Sequence, residues 1–251
     1  THDRAQLCLT NPQLRDFLVE RVRQWLRESP EARIISISQN DWHAACECEK
    51  CKALDDAEGT HAGPMLAAVN YIAEKLEPEF PKVAFDTLAY QYTRKPPKTL
   101  RPRSNVIIRL CSIECNFREP LDHAVNASFA DDIRGWSKLC QRLYIWDYTT
   151  DFAHYVQPHP NWFTLDANLR FFHANGVRGF EFFGCKVSVG RCRIKRVRVA
   201  NENVHAAQAK IQRLDREIPN HRTVVRPGQG CPRIGGRLID ADKRGVRLER
   251  G

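Results

Sequence analysis

The chain has 251 residues, 42% of them hydrophobic, with 12 Phe, 6 Tyr and 5 Trp, so a sizeable core is available for one large α/β domain or two modest ones. No apolar run approaches the ~20 residues of a membrane span, which excludes a chain built from transmembrane helices. The net charge of +9 joins two unlike parts. From Lys186 onward there are 17 Lys/Arg against 6 Asp/Glu, whereas residues 1–185 hold 22 basic and 24 acidic side chains and every aromatic. The composition divides the chain into 1–185 and 186–251. The chain starts at Thr1 with neither an initiator Met nor a signal-peptide pattern, so it reads as a fragment or a processed product.

The first element is a helix. Asn11-Pro12 supplies an N-cap and a first-turn proline, Leu14, Phe17, Leu18, Val22, Trp25 and Leu26 follow at helical spacing, and Ser29-Pro30 stops them. A β-branched strand comes next at Ile34–Ser38. It opens into a polar loop that carries Asn40, Asp41, His43 and the C-x-C-x-x-C cluster Cys46, Cys48 and Cys51. Leu66, Val69, Ile72, Ala73 and Leu76 predict a second helix closed by Glu77-Pro78. Strands follow at Val83–Tyr90 and Val106–Cys111, then a helix at Phe129–Cys140 and a strand at Leu143–Tyr148. Asn161 is read as the cap of a helix carrying Trp162, Leu165, Leu169 and Phe172, which Asn175-Gly176 ends. Val177–Phe183 is the last strand.

Helices alternating with short, nearly continuous apolar strands predict a parallel sheet covered on both faces. Five strands are too few for a closed (β/α)8 barrel, and no G-x-G-x-x-G or Walker-type loop follows any of them. The expected fold is α/β: a partial TIM-barrel-like (β/α) domain over 1–185, with a basic, poorly structured C-terminal tail over 186–251.

Chemistry-bearing residues gather at the C-terminal strand ends, where parallel α/β folds place their sites. They are Asn40 and Asp41, Tyr90 and Tyr92, Glu114, and Trp146, Asp147 and Tyr148, with Asp151, His154, Tyr155 and Glu181 beside them. Sugars stack apolar C–H faces on aromatic rings and pair hydroxyls with carboxylates, and glycosidic cleavage needs two carboxyl groups. A carbohydrate substrate is therefore expected, with Asp41 and Glu114 as the acid/base pair and Asp147 as the next choice. Asn40, Tyr90, Tyr92, Trp146 and Tyr148 are expected to bind the sugar. Each acid taken singly also fits an ordinary helix cap or a solvated loop residue. A non-catalytic carbohydrate-binding barrel is the alternative class.

The stretches TNPQLRDF, SISQNDWHAACECEKC, DTLAYQYTRKPP, RLCSIECNF, LYIWDYTTDFAHYVQPHPNW and GVRGFEFFG resemble successive motifs of one bacterial family. It is the glycoside-hydrolase-like domain of unknown function four-eight-three-eight, related to α-glucuronidase and β-hexosaminidase-type TIM barrels. The resemblance runs from about Gln6 to Gly184. It implies a TIM-barrel-like fold, action on carbohydrate and a secreted or periplasmic location. Asp41, Tyr90, Tyr92, Glu114, Trp146, Asp147 and Tyr148 match its motifs.

Ten cysteines leave three readings open for Cys46, Cys48 and Cys51. One is a structural Zn2+ completed by a ligand such as His43. Another is a disulfide, for instance to Cys111 or Cys115. The third is free thiols. No other cofactor is called for. Nothing in the sequence fixes an oligomeric state. The tail lacks stacking aromatics and any recognised nucleic-acid module, so a nucleic-acid partner is disfavoured. Its abrupt composition reads as sequence foreign to the barrel, from an out-of-frame read or a truncated gene, with plain disorder as the other reading.

Overall fold

The computed structural model describes residues 6–154 and 157–183, with side chains through Phe180. The tail, Tyr155, the Glu181 side chain and the last three cysteines lie outside the described residues. Five strands, β1 (Ile34–Ser36), β2 (Ala84–Ala89), β3 (Val106–Cys111), β4 (Leu143–Tyr148) and β5 (Gly179–Phe183), form one parallel sheet in the order β1-β2-β3-β4-β5. The helices are α1 (Pro12–Glu28), α2 (Glu49–Glu58), α3 (Ala62–Leu76), α4 (Ala127–Leu139) and α5 (Leu165–Ala174).

Sequential order corrects the expected two-sided cover. Right-handed crossovers between consecutive neighbours put every connecting helix on the same side of a sheet. Buried residues of α1, α3, α4 and α5 accordingly share one core with Phe85 and Ala89 of β2, Val106, Ile108 and Leu110 of β3, and Leu143 and Ile145 of β4. The alternate positions point the other way, as the two-residue period requires. There Leu88, Cys111, Trp146 and Tyr148 form a second, separate cluster with Tyr90, Ile113 and Phe117. No described helix is long and apolar enough to cross a membrane.

Local rules account for most boundaries. Asn11 caps α1 through its side chain, accepting from the amides of Gln13 (2.9 Å) and Leu14 (3.3 Å). β3 and β4 begin and end as their apolar runs predict. β1 is shorter than expected, because beyond Ile37 the chain leaves the ladder and its side chains take over. Gln39 donates to the Tyr90 carbonyl at 3.1 Å and accepts from the Thr93 hydroxyl, which ties the ends of β1 and β2 together. α5 starts at Leu165 after Thr164, so Trp162 stands outside it and is exposed, and Asn161 instead donates to the Tyr148 carbonyl at 2.9 Å.

The polar loop after β1 contains a helix, α2, that hydrophobic spacing does not reveal. Only Cys51 and Glu58 of its residues are buried, so it has almost no apolar stripe. Cys48 occupies its N-cap position, and Gly59 ends it at φ +68°, in the left-handed region that favours glycine. Glu58 fastens the helix to the segment between β2 and β3, accepting from the amides of Thr99 (2.8 Å) and Leu100 (3.1 Å) and from the Thr99 hydroxyl.

Burial alone would raise the pKa of Glu58, but these donors outweigh it and hold the carboxyl below its ordinary value. A folded-state pKa below the unfolded one gives stability that is present above about pH 4.3 and lost as the pH falls through the folded value. Glu58→Gln should therefore cost about 1–3 kcal/mol at pH 7, with the gap to wild type closing in acid. Urea melts at pH 7 and pH 3 measure both, and a gap that ignores pH would refute the role of the ionised carboxylate.

Candidate functional site at the strand ends

The face away from the helices carries an aromatic floor at the C-terminal end of the sheet. Trp146 and Tyr148 of β4 are buried there beside Cys111 and Leu88, with Tyr90 and Phe117 at the margin. Phe117 meets the Tyr148 ring edge-on at 6.3 Å between centroids, and Phe152 meets it at 5.9 Å. The Trp146 ring lies 5.6 Å from the guanidinium carbon of Arg109, which is itself buried in an ion pair with Asp86 (3.0 Å). That pair fills the sheet face below the floor.

Asp41 is exposed, and its carboxylate meets this floor at its margin, through Tyr90. It acts on the Tyr90 hydroxyl both as a nearby charge and as a hydrogen-bond acceptor, and its charge also reaches Tyr148 and Cys111. Burial first, and these negative neighbours second, push both phenols well above the ordinary tyrosine range, so they remain O–H donors. The Tyr90 oxygen accepts from Gln91 Nε2 at 2.9 Å. Gln91, at φ +50°, is the one non-glycine residue with positive φ among the described residues. Such backbone positions are costly for ordinary side chains and concentrate at sites. Burial also raises the pKa of Cys111, which marks it as a packing group rather than a nucleophile.

The other expected site residues divide. Glu114 is exposed and close enough for its charge to act on Tyr90, but its carboxylate is held by Arg94 at 2.8 Å. Arg94 is in turn held by Asp132 (2.6 Å) and Ser128 (2.7 Å). Asp147 does not share the aromatic face. It has the parity of Leu143 and Ile145, is buried, and accepts from Ser112 Oγ (2.5 Å) and from the Tyr148 amide (3.0 Å). Burial raises its pKa, and its second oxygen has no partner among the described residues. Tyr92 is also turned away from the floor, its ring tilted at 59° against that of His61, 5.8 Å away between centroids, in a cleft lined by Cys46, Cys51 and Asp55. Asn40 is buried, its amide and carbonyl both bonded to the Gln6 side chain.

The thiols form a compact cluster with a member that the local motif does not contain. The sulfurs of Cys8, Cys46, Cys48 and Cys51 all lie within 4.8 Å of one another, and Cys8 Sγ is 3.6 Å from Cys48 and 4.0 Å from Cys51. His43 is not among them; Cys8 takes the fourth place. All seven described cysteines, including Cys111 and Cys115, are free of disulfides. Thr10 brings its hydroxyl to 3.1 Å from Cys51 Sγ. The residues present could hold a metal ion, which would take the four sulfurs as thiolates. Sequence separation hid Cys8, since nothing in its surroundings resembles a ligand motif.

A family model described as domain of unknown function (DUF4838) matches residues 1–193. The chain belongs to that family. The match covers the sheet, the strand-end residues and all four clustered cysteines of this DUF4838 domain. No curated protein and no solved structure matches the chain.

Proposed function

We propose that this DUF4838 domain is a carbohydrate-active hydrolase domain, built as an arc of a TIM-type barrel, that receives a sugar at the rim of the aromatic floor and uses Asp41 in cleaving its glycosidic bond. The observation that carries the proposal is the exposed Asp41 carboxylate facing Tyr90, with Tyr148 close by, at the margin of a floor of buried rings at the C-terminal strand ends. Consecutive strand order with the helices on one side supports the barrel arc. A pyranose at the rim of this floor would offer its hydroxyls to Asp41 and the Tyr90 phenol, with the buried Trp146 and Tyr148 rings supporting that rim rather than stacking on the sugar. Glu114 is the second carboxyl of the pair, and Asp147, buried behind the strand, supports Ser112 and the end of β4. The four-thiol cluster belongs to the same reading as a structural Zn2+ site, since four sulfur donors suit a closed tetrahedral zinc centre better than a catalytic one.

A binding-only barrel is favoured by one specific observation, the locking of Glu114 by Arg94. Asp41→Asn and Glu114→Gln separate the two readings on a panel of uronic-acid and amino-sugar oligosaccharides. Hydrolysis predicts that each variant loses about 10²-fold or more in reducing-end release while oligosaccharide binding persists. Wild-type protein that binds but never cleaves leaves the binding barrel, and wild-type protein that does neither ends both readings.

A further inference from the structure

Residues Gln6–Thr10 run across the loop that follows β1 and are fastened to it at two points. At one, Cys8 joins Cys46, Cys48 and Cys51, with the Thr10 hydroxyl against Cys51. At the other, Gln6 grips the turn around Asp41. Its backbone amide donates to the Ala44 carbonyl (2.9 Å), and its side-chain oxygen accepts from the Asn40 amide (3.0 Å). Its side-chain nitrogen donates to the carbonyls of Asn40 (2.7 Å) and Trp42. Asp41 therefore sits between two residues whose backbone groups are held by one buried glutamine.

From Asn40 to Cys48 the loop has no helix or strand and no buried apolar side chain, so these fastenings, together with the Asp41–Tyr90 hydrogen bond, determine its shape. A segment held by so few contacts opens locally at low free-energy cost unless something covalent or metallic closes it. Two zinc–sulfur bonds of ~2.3 Å at the tetrahedral angle place sulfurs ~3.8 Å apart. The observed Cys8 separations of 3.6 and 4.0 Å fit that spacing and are far from a disulfide bond of ~2.05 Å.

We propose that one Zn2+ bound by Cys8, Cys46, Cys48 and Cys51 clasps the N-terminal segment onto the loop, and that Gln6, held in place by the clasp, is the positioning residue that sets the Asn40–Trp42 turn and with it Asp41. The inference rests on Asp41 being the working carboxylate, but its geometry can be tested without any sugar. Binding the metal exchanges thiol protons for four Zn–S bonds, with the protons released to solvent.

The experiment combines metal analysis with hydrogen exchange of peptides covering residues 38–45. It compares full-length zinc-loaded protein, the same protein stripped by a chelator and then reloaded with ZnCl2, and the variants Cys8→Ser and Gln6→Ala. One zinc per chain is expected in the wild type. Stripping should speed exchange at the Asn40 amide on the order of tenfold or more, and reloading should reverse it, while peptides from α3 stay unchanged. Gln6→Ala should keep its zinc and still lose the protection, which a merely structural metal site would not predict. The proposal is overturned if the wild type takes up no zinc, if stripping leaves residues 38–45 protected, or if Gln6→Ala keeps both metal and protection. Should Cys8→Ser fail to fold, the strip-and-reload comparison still decides. A failure to bind or cleave glycans would count against the carbohydrate reading and leave this result intact.

Discussion

Asp86→Ala should lower the unfolding free energy by about 3–5 kcal/mol, a large part of the stability of a domain this size. Both partners of the Asp86–Arg109 pair are sealed from water, at 0% and 1% exposure, with Oδ2 and Nε 3.0 Å apart. Ser36 donates to the other carboxylate oxygen at 2.8 Å and lies 3.0 Å from Ser38, so the charge is embedded in a polar chain running across β1, β2 and β3. Removing the carboxylate strands a guanidinium in the interior beneath Trp146. The desolvation cost already incurred for Arg109 then loses its main compensation, which is why breaking a buried pair costs more than the pair is worth. Replacing both residues by apolar ones of similar volume, as in Asp86→Leu with Arg109→Met, should recover most of the loss. Urea unfolding of Asp86→Leu, Arg109→Met and the double variant completes the cycle. A loss under about 1 kcal/mol for Asp86→Ala would mean that the guanidinium finds water, and the account of the floor would fail with it.

Trp136→Ala is expected to cost about 3–5 kcal/mol as well, by a different route. Trp136 is the largest fully buried side chain and belongs to the core on the helix-covered face. Its indole nitrogen donates to the Arg94 carbonyl at 2.8 Å. Arg94 is the residue whose side chain holds Glu114, so the core and the strand-end site are joined through one backbone carbonyl. Trp136→Phe should retain most of the packing and lose about 1 kcal/mol for the missing donor. Thermal melts of the two variants rank them. If Trp136→Phe proves as damaging as Trp136→Ala, the hydrogen bond outweighs the packing and this division is wrong.

The parts of the fold that were legible in the sequence are those governed by neighbours a few residues away. Asn11-Pro12 announced α1, uninterrupted apolar runs marked β3 and β4, and Asn175-Gly176 marked the end of α5. The list of acids and aromatics at strand ends followed from that reading, because a parallel sheet brings all its C-terminal ends to one side. α2 escaped it, since a helix exposed on nearly every side has no apolar stripe to detect.

By itself, then, the sequence determined the parallel α/β architecture, the strand ends where chemistry could collect, and the presence of three thiols close together near residue 48. Tertiary structure alone decided which of those residues meet. It put Asp41 with Tyr90 and Tyr148, turned Asp147 to the helix-covered face and Tyr92 toward the thiols, and gave Glu114 to Arg94. It also brought Cys8 across 38 residues to Cys46. The reason is physical. A one-residue step on a strand reverses the face a side chain occupies, and a metal ligand needs only to be near in space. Local pattern carries neither fact until the chain has folded.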